Sequence, residues 1–220
     1  MKSLVRFSVD DYDRMLEVGV FPQRPDQRTE LIYGEIREVN PPNPPHEDSV
    51  DRLNYWSIDN SDREEIRVRI QNSLGISEFD SVPQPDVAWM AARDYRQRRP
   101  EPADVLLLIE VSDSSLRGDR TEKAELYAQA GIQDYWIVNL RDNCIEVNRK
   151  PKGDAFTERI TYESGDVVIP LAKPDVKLSV DFVLGLSDDS ATKLTECRNS
   201  NPNARSSLSH HNTARLGSET

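Results

Sequence analysis

Cysteine is nearly missing from this chain: the 220 residues hold two, Cys144 and Cys197, the second in a polar tail. A disulfide framework is therefore not expected, no zinc-type ligand spacing is visible, and a reducing cytoplasmic setting is the simpler expectation. Long hydrophobic runs are missing too. The longest is far too short to span a bilayer, and the amino-terminal Met-Lys-Ser-Leu-Val-Arg-Phe-Ser-Val-Asp-Asp has no apolar stretch of signal-peptide length. Nine glycines are present, but none builds a phosphate-cradling loop, and there is no nucleophile elbow. Both absences argue against a nucleotide-dependent phosphotransferase and an α/β-hydrolase. Positive charge is in deficit, with 28 Lys and Arg against 39 Asp and Glu for a formal net charge of −11. The molecule as a whole repels nucleic acid at long range, so any polyanion contact needs a local basic patch or metal ions.

What is present suits one α/β domain over residues 1–186. A tail from Ser187 onward, rich in Ser, Asn, Asp and Thr, is expected to be disordered. Ser8 and Asp11 have the spacing of a capping box for a short helix with Val9, Tyr12 and Leu16 on one face and Gly19 as terminator. Glu30–Val39 reads as a hairpin turning at Tyr33-Gly34, and Asn40–Pro45 as a stiff extended connector before a helix that begins at His46 and turns Val50, Leu53 and Trp56 inward. Ile66, Val68 and Ile70 alternate with Arg67 and Arg69 as in a strand with one buried face. Proline at 83 and 85 sets the start of the next strand at Asp86. Arg93, Arg96, Arg98 and Arg99, grouped around Tyr95, form the most basic stretch and the candidate contact for a phosphate backbone.

The centre of the chain is Asp104–Ile132. Val105–Ile109 is an unbroken apolar run of the kind found in a strand covered on both faces, and Glu110 follows it directly. Alternation places Glu110 on the face of Leu106 and Leu108, where an unpaired charge would cost several kcal/mol and a cation is called for. The next segment reads as a helix capped by Asp119 and stopped by Gly131, with Ala124, Tyr127 and Ala128 packed and Lys123 at the edge of that stripe. Glu110 and Lys123 are therefore expected to meet, either as a structural pair closing a βα unit or as part of a site. Asp134–Leu140 reads as a second buried strand parallel to the first, because a helix intervenes, and a β meander follows.

Asp86, Glu110 and Lys123 thus bring two carboxylates and one amine to one sheet. Oxygen ligands of this kind suit Mg²⁺ or Mn²⁺, which polarise a phosphodiester and activate bound water. Their order resembles a known family. Gln-Pro-Asp-Val at 84–87, Glu-Val-Ser at 110–112, Asp119 to Lys123 and Tyr-Ala-Gln-Ala-Gly-Ile-Gln-Asp-Tyr-Trp-Ile-Val at 127–138 look like the Uma-two endonucleases of the PD-(D/E)XK, restriction-endonuclease-like superfamily. Glu-Leu-Ile-Tyr-Gly-Glu-Ile at 30–36, His46 and Arg-Ile-Gln-Asn at 69–72 add to the resemblance, which covers roughly residues 6–184.

The resemblance implies a mixed central sheet flanked by helices, with an N-terminal helix and hairpin and a C-terminal meander. It implies Mg²⁺ held by Asp86, Glu110 and the Val111 carbonyl, Lys123 as catalytic lysine, and accessory roles for Glu30, His46 and Gln71. The superfamily's lysine commonly stands two residues after the glutamate, where this chain has Ser112, so the resemblance implies that Lys123 has migrated onto the helix. Tyr33 stands where the family's hairpin commonly carries aspartate. The expected activity is metal-dependent hydrolysis of DNA by a possible homodimer. The alternative is a catalytically silent binding or assembly module that keeps the fold and uses the three polar residues as a buried network.

Overall fold

The structure is a computed structural model that describes residues 4–21 and 28–186. The chain runs through α1 (Val9–Glu17), the hairpin β1 (Arg28–Ile32) and β2 (Glu35–Val39), α2 (Pro44–Asn60), β3 (Ile66–Ile70), β4 (Val87–Ala91) and β5 (Val105–Ser112). A helical passage follows, made of α3 (Leu116–Gly118), a π turn (Asp119–Lys123) and α4 (Ala124–Gln129). Next come β6 (Asp134–Asn139), β7 (Cys144–Lys152), β8 (Ala155–Tyr162), the short pair β9 (Val167–Val168) and β10 (Leu178–Ser179), and α5 (Val180–Val183). The expected tail, with Cys197, lies outside the described residues.

Strands β3 to β8 form one six-stranded sheet in chain order. Only β5 and β6 pair in parallel, as a helical crossover requires, and the other neighbours are antiparallel. Alternation sorts the two faces. Trp89, Leu107, Ile109, Val111 and Trp136 pack against Val50, Leu53 and Trp56 of α2, where Trp56 stacks on Trp89 with ring centroids 5.0 Å apart. The opposite face carries Ala88, Met90, Leu108, Tyr135 and Ile137 against Ala124, Tyr127 and Ala128 of α4. The sheet is thus covered on both sides, which is why β5 and β6 read as continuous apolar runs.

Local sequence explains the element ends. Ser8 and Asp11 form the reciprocal capping box of α1. Tyr33 at φ 50° and Gly34 at φ 77° make the hairpin turn, a pair of left-handed residues that suits two-residue loops. Gly131, at φ 77°, stops the helical passage.

Several expectations need correction. Leu16 is 43% exposed and does not join Tyr12 in the interior. Helix α2 starts at Pro44, before His46, because Asn43 accepts the His46 N–H and proline is suited to a first turn. Strand β5 continues through Ser112, so Glu110 lies within it rather than after it. The β4–β5 register slips between Trp89 and Met90, and Leu106 packs with the α2 layer instead of sharing a face with Leu108. Asp119 is not the N-cap of the helix: the helical passage begins at Leu116, and the buried Asp119 carboxylate accepts the Ser112 hydroxyl at 2.7 Å.

Candidate active site

Because Ile109 and Val111 face α2, Glu110 faces the helical passage and is sealed there at 3% exposure. Lys123 closes the π turn, a widened helical turn of the type that recurs at functional positions. Its Nζ lies 3.0 Å from Glu110 Oε1, 3.4 Å from Glu30 Oε1 and 3.9 Å from Asp119 Oδ1. One turn further, Tyr127 donates its hydroxyl to the same Glu110 oxygen at 2.8 Å. Glu30 comes from the hairpin and also accepts the Gln84 backbone N–H at 2.6 Å.

Asp86 stands immediately before β4 and is buried. The Val111 N–H donates to its Oδ2 at 2.9 Å, His46 Nε2 lies 3.2 Å from the same oxygen, and the Gln71 amide donates to Oδ1 at 3.1 Å. Gln71 holds that position with a left-handed backbone, φ 51°, a strained conformation for a residue with a long side chain. His46 Nδ1 is buried with no hydrogen-bond partner. Glu30, His46, Asp86, Glu110, Val111 and Lys123 all line one cavity of about 380 Å³.

The two central carboxyls are driven in opposite directions. Burial pushes Glu110 up to about 8; the Lys123 charge pulls it down, while Asp119, Asp86 and Glu30 push it further up. Burial also acts to raise Asp86, but His46, the Val111 N–H and the Gln71 amide outweigh it and leave the carboxyl below its ordinary value. Lys123 is held well above the ordinary lysine value, since the charges of Glu110, Glu30 and Asp119 overcome the penalty of burial. It is thus an ammonium donor, suited to stabilising developing negative charge rather than to accepting a proton.

The residues present fit a hard divalent ion. Glu30, Asp86, Glu110 and Asp119 line the cavity with Lys123 among them, an excess of negative charge that a cation would relieve. Among the described residues no three His, Cys, Asp or Glu side chains converge closely enough to hold a metal unaided. Mg²⁺ does not need that, because it is commonly held by one or two carboxylates together with waters and substrate oxygens.

The structure brings together Asp86, Glu110, Val111 and Lys123 with Glu30, His46 and Gln71. It does not bring the arginine stretch to them. Arg93 and Arg98 bond the buried Asp104 at 2.8 and 2.9 Å, Arg99 bonds Asp13 at 2.6 Å, Arg96 pairs with Asp94 at 3.7 Å, and none of the four lines the cavity. Two neighbours were missing from the sequence reading of the site. Asp119 had a legible signal, its four-residue spacing to Lys123. Tyr127 had none that separates a hydrogen-bonding tyrosine from a merely packed one.

A helix-flanked mixed sheet with two acids at neighbouring strands and a lysine on the following helix defines a protein of nuclease fold. A solved structure shares it: that of a putative nuclease from Anabaena variabilis, 15% identical, covering 81% of this chain and 98% of that chain with a TM-score of 0.63. The family model described as Putative restriction endonuclease, Uma2, matches residues 9–181, and the chain belongs to that family. No curated protein matches the chain. No helix among the described residues is long and apolar enough to cross a membrane.

Proposed function

We propose that the protein is a metal-dependent endonuclease that hydrolyses DNA phosphodiester bonds. Asp86, Glu110 and the Val111 carbonyl would hold Mg²⁺ or Mn²⁺. The observation that carries the reading is the Lys123 ammonium, drawn 3.0 Å from Glu110 in a cavity that Asp86 and Val111 also line. When bound, a hard divalent ion neutralises the carboxylates, polarises the phosphoryl oxygen and lowers the pKa of a coordinated water. The Lys123 ammonium would donate hydrogen bonds to the phosphoryl oxygen on which charge develops, and it does not take the proton of the attacking water. His46, Gln71 and the Val111 N–H fix the Asp86 carboxylate, and Tyr127 fixes Glu110.

Purified protein incubated with duplex, single-stranded and branched DNA in Mg²⁺ or Mn²⁺ provides the test. Cleavage is expected, with loss of a hundredfold or more, on the order of one catalytic contact, in Asp86→Ala and Lys123→Ala. Undiminished cleavage by both variants would overturn the assignment.

One observation favours a second reading, a silent binding or assembly module. Glu110 Oε1 already accepts from Lys123 and Tyr127, and Asp86 is bonded on both oxygens, so the network closes on itself. Calorimetry separates the two readings: the nuclease binds Mn²⁺ and loses it in Glu110→Gln, whereas a structural network binds none.

A further inference from the structure

Among the described residues, three Lys or Arg side chains line the cavity: Arg28, Arg37 and Lys123. Lys123 is taken up by Glu110, Glu30 and Asp119, and Arg37 by Glu35 and Glu122. Arg28 differs from both. No hydrogen bond or ion pair joins its side chain to another described residue, yet its Nη1 is buried with no partner at all. A guanidinium left without an acceptor is costly, and Arg28 lines a cavity in which a ligand can supply one.

Its place in the fold says what that ligand is. Arg28 opens β1 and pairs with Val39 across the hairpin, while Glu30 stands two residues on. Residues two apart on a strand share a face, so Arg28 is carried to the same wall as Glu30, whose carboxylate reaches Lys123. The separation, about 7 Å of strand, is of the order of one nucleotide step. Guanidinium is matched in shape and charge to the paired oxygens of a phosphate. The surrounding acids would repel a bare polyanion, which gives an unpaired cation at this position a purpose that Lys123 does not serve.

We infer that Arg28 binds the phosphate neighbouring the scissile one, so that the site takes a nucleic-acid strand of at least two phosphates rather than an isolated phosphodiester. This rests on the nuclease reading above. Arg28 is a binding residue and takes no part in bond breaking.

The test pairs Arg28→Gln with single-stranded oligonucleotides in which one phosphate on either side of the cleaved bond is replaced by a neutral methylphosphonate. Binding is measured by fluorescence anisotropy in Ca²⁺ and cleavage in Mn²⁺. Neutralising one flanking phosphate is expected to weaken binding to the wild type by about tenfold or more, the size of a charge-assisted contact. Arg28→Gln is expected to weaken it by a similar factor, and the two losses are not to multiply when combined, because they remove the same contact. Arg28→Lys, which keeps the charge, should recover part of the loss. If neither flanking substitution affects the wild type, or if the losses multiply, the inference is overturned while the nuclease reading stands. If the wild type neither binds nor cleaves any oligonucleotide, the nuclease reading falls and the inference with it. The wild-type arm needs no variant, so a misfolded Arg28→Gln cannot obscure the result.

Discussion

Tyr127 donates its hydroxyl to Glu110 Oε1 at 2.8 Å, the oxygen that also takes the Lys123 ammonium. Burial and the neighbouring Glu110 raise the phenol well above its ordinary value, so it is a hydrogen-bond donor at neutral pH. Tyr127→Phe keeps the ring against Tyr135 and removes only this bond. A loss of about 1–2 kcal/mol is expected, measured by urea unfolding. Glu110 should also hold its proton to higher pH than in the wild type, because a donor to the charged form has gone. A carboxyl infrared band that titrates at the same pH in both proteins would contradict this.

Lys123 offers a second measurement. It sits at 18% side-chain exposure among Glu110, Glu30 and Asp119. Lys123→Met leaves buried carboxylates without their cation, and removal of one partner of such a set costs about 3–5 kcal/mol. Glu110→Gln in the same background removes the carboxyl that Lys123 contacts at 3.0 Å. The double variant should therefore be less destabilised than the sum of the single ones, a coupling of about 1–3 kcal/mol. Additive losses in a double-mutant cycle would mean that the two side chains do not interact.

Much of this was legible in the sequence, for physical reasons that differ by element. The β5–helix–β6 unit was readable because an apolar run buried on both faces has a pattern that few other structures share, and the helical crossover then dictated parallel pairing. The Glu110–Lys123 meeting followed from charge: a carboxylate on a buried face needs a cation, and the next helix held one. Asp119 was misread because aspartate before a helical stretch serves equally well as a cap or as an inward acceptor, and the Ser112 hydroxyl that decides between them comes from another element. The partners of the arginine stretch were hidden for a similar reason. Arg93 and Arg98 close on Asp104, and composition does not show whether a guanidinium is free or already paired. The slip between Trp89 and Met90 that moves Leu106 to the other layer leaves no trace in residue type.

Asp104 supplies a prediction in pH. Burial acts to raise it, but the Arg98 hydrogen bond, the Glu101 backbone N–H and the charges of Arg98 and Arg93 win, and its carboxyl lies below the ordinary 3.8. The folded state therefore favours the charged form. Its contribution is complete above the unfolded value of 3.8 and is lost as pH falls through the lower folded value. Asp104→Asn should cost about 1–3 kcal/mol at pH 7, and the gap between variant and wild type should narrow at pH 3. A gap of constant size across that range in urea melts would show that the arginines do not hold the charge.

Gln71 separates stability from function. Its φ of 51° places a residue with a Cβ in a conformation that glycine adopts without penalty, while its amide holds Asp86 Oδ1 at 3.1 Å. Gln71→Gly removes a backbone strain of order 1 kcal/mol and forfeits a hydrogen bond of similar size. The unfolding midpoint should therefore move little, within about 1 kcal/mol in either direction. Asp86 would meanwhile lose one of the three groups that orient it, and DNA cleavage should fall by about tenfold or more, as it does when the supports of metal ligands are removed. Gln71→Asn tests the two contributions apart: asparagine tolerates the left-handed backbone, but its shorter amide falls short of Asp86. It should match glycine in lost activity and the wild type in stability. If Gln71→Gly instead cleaves DNA as the wild type does, the strain at this strand end serves the fold alone.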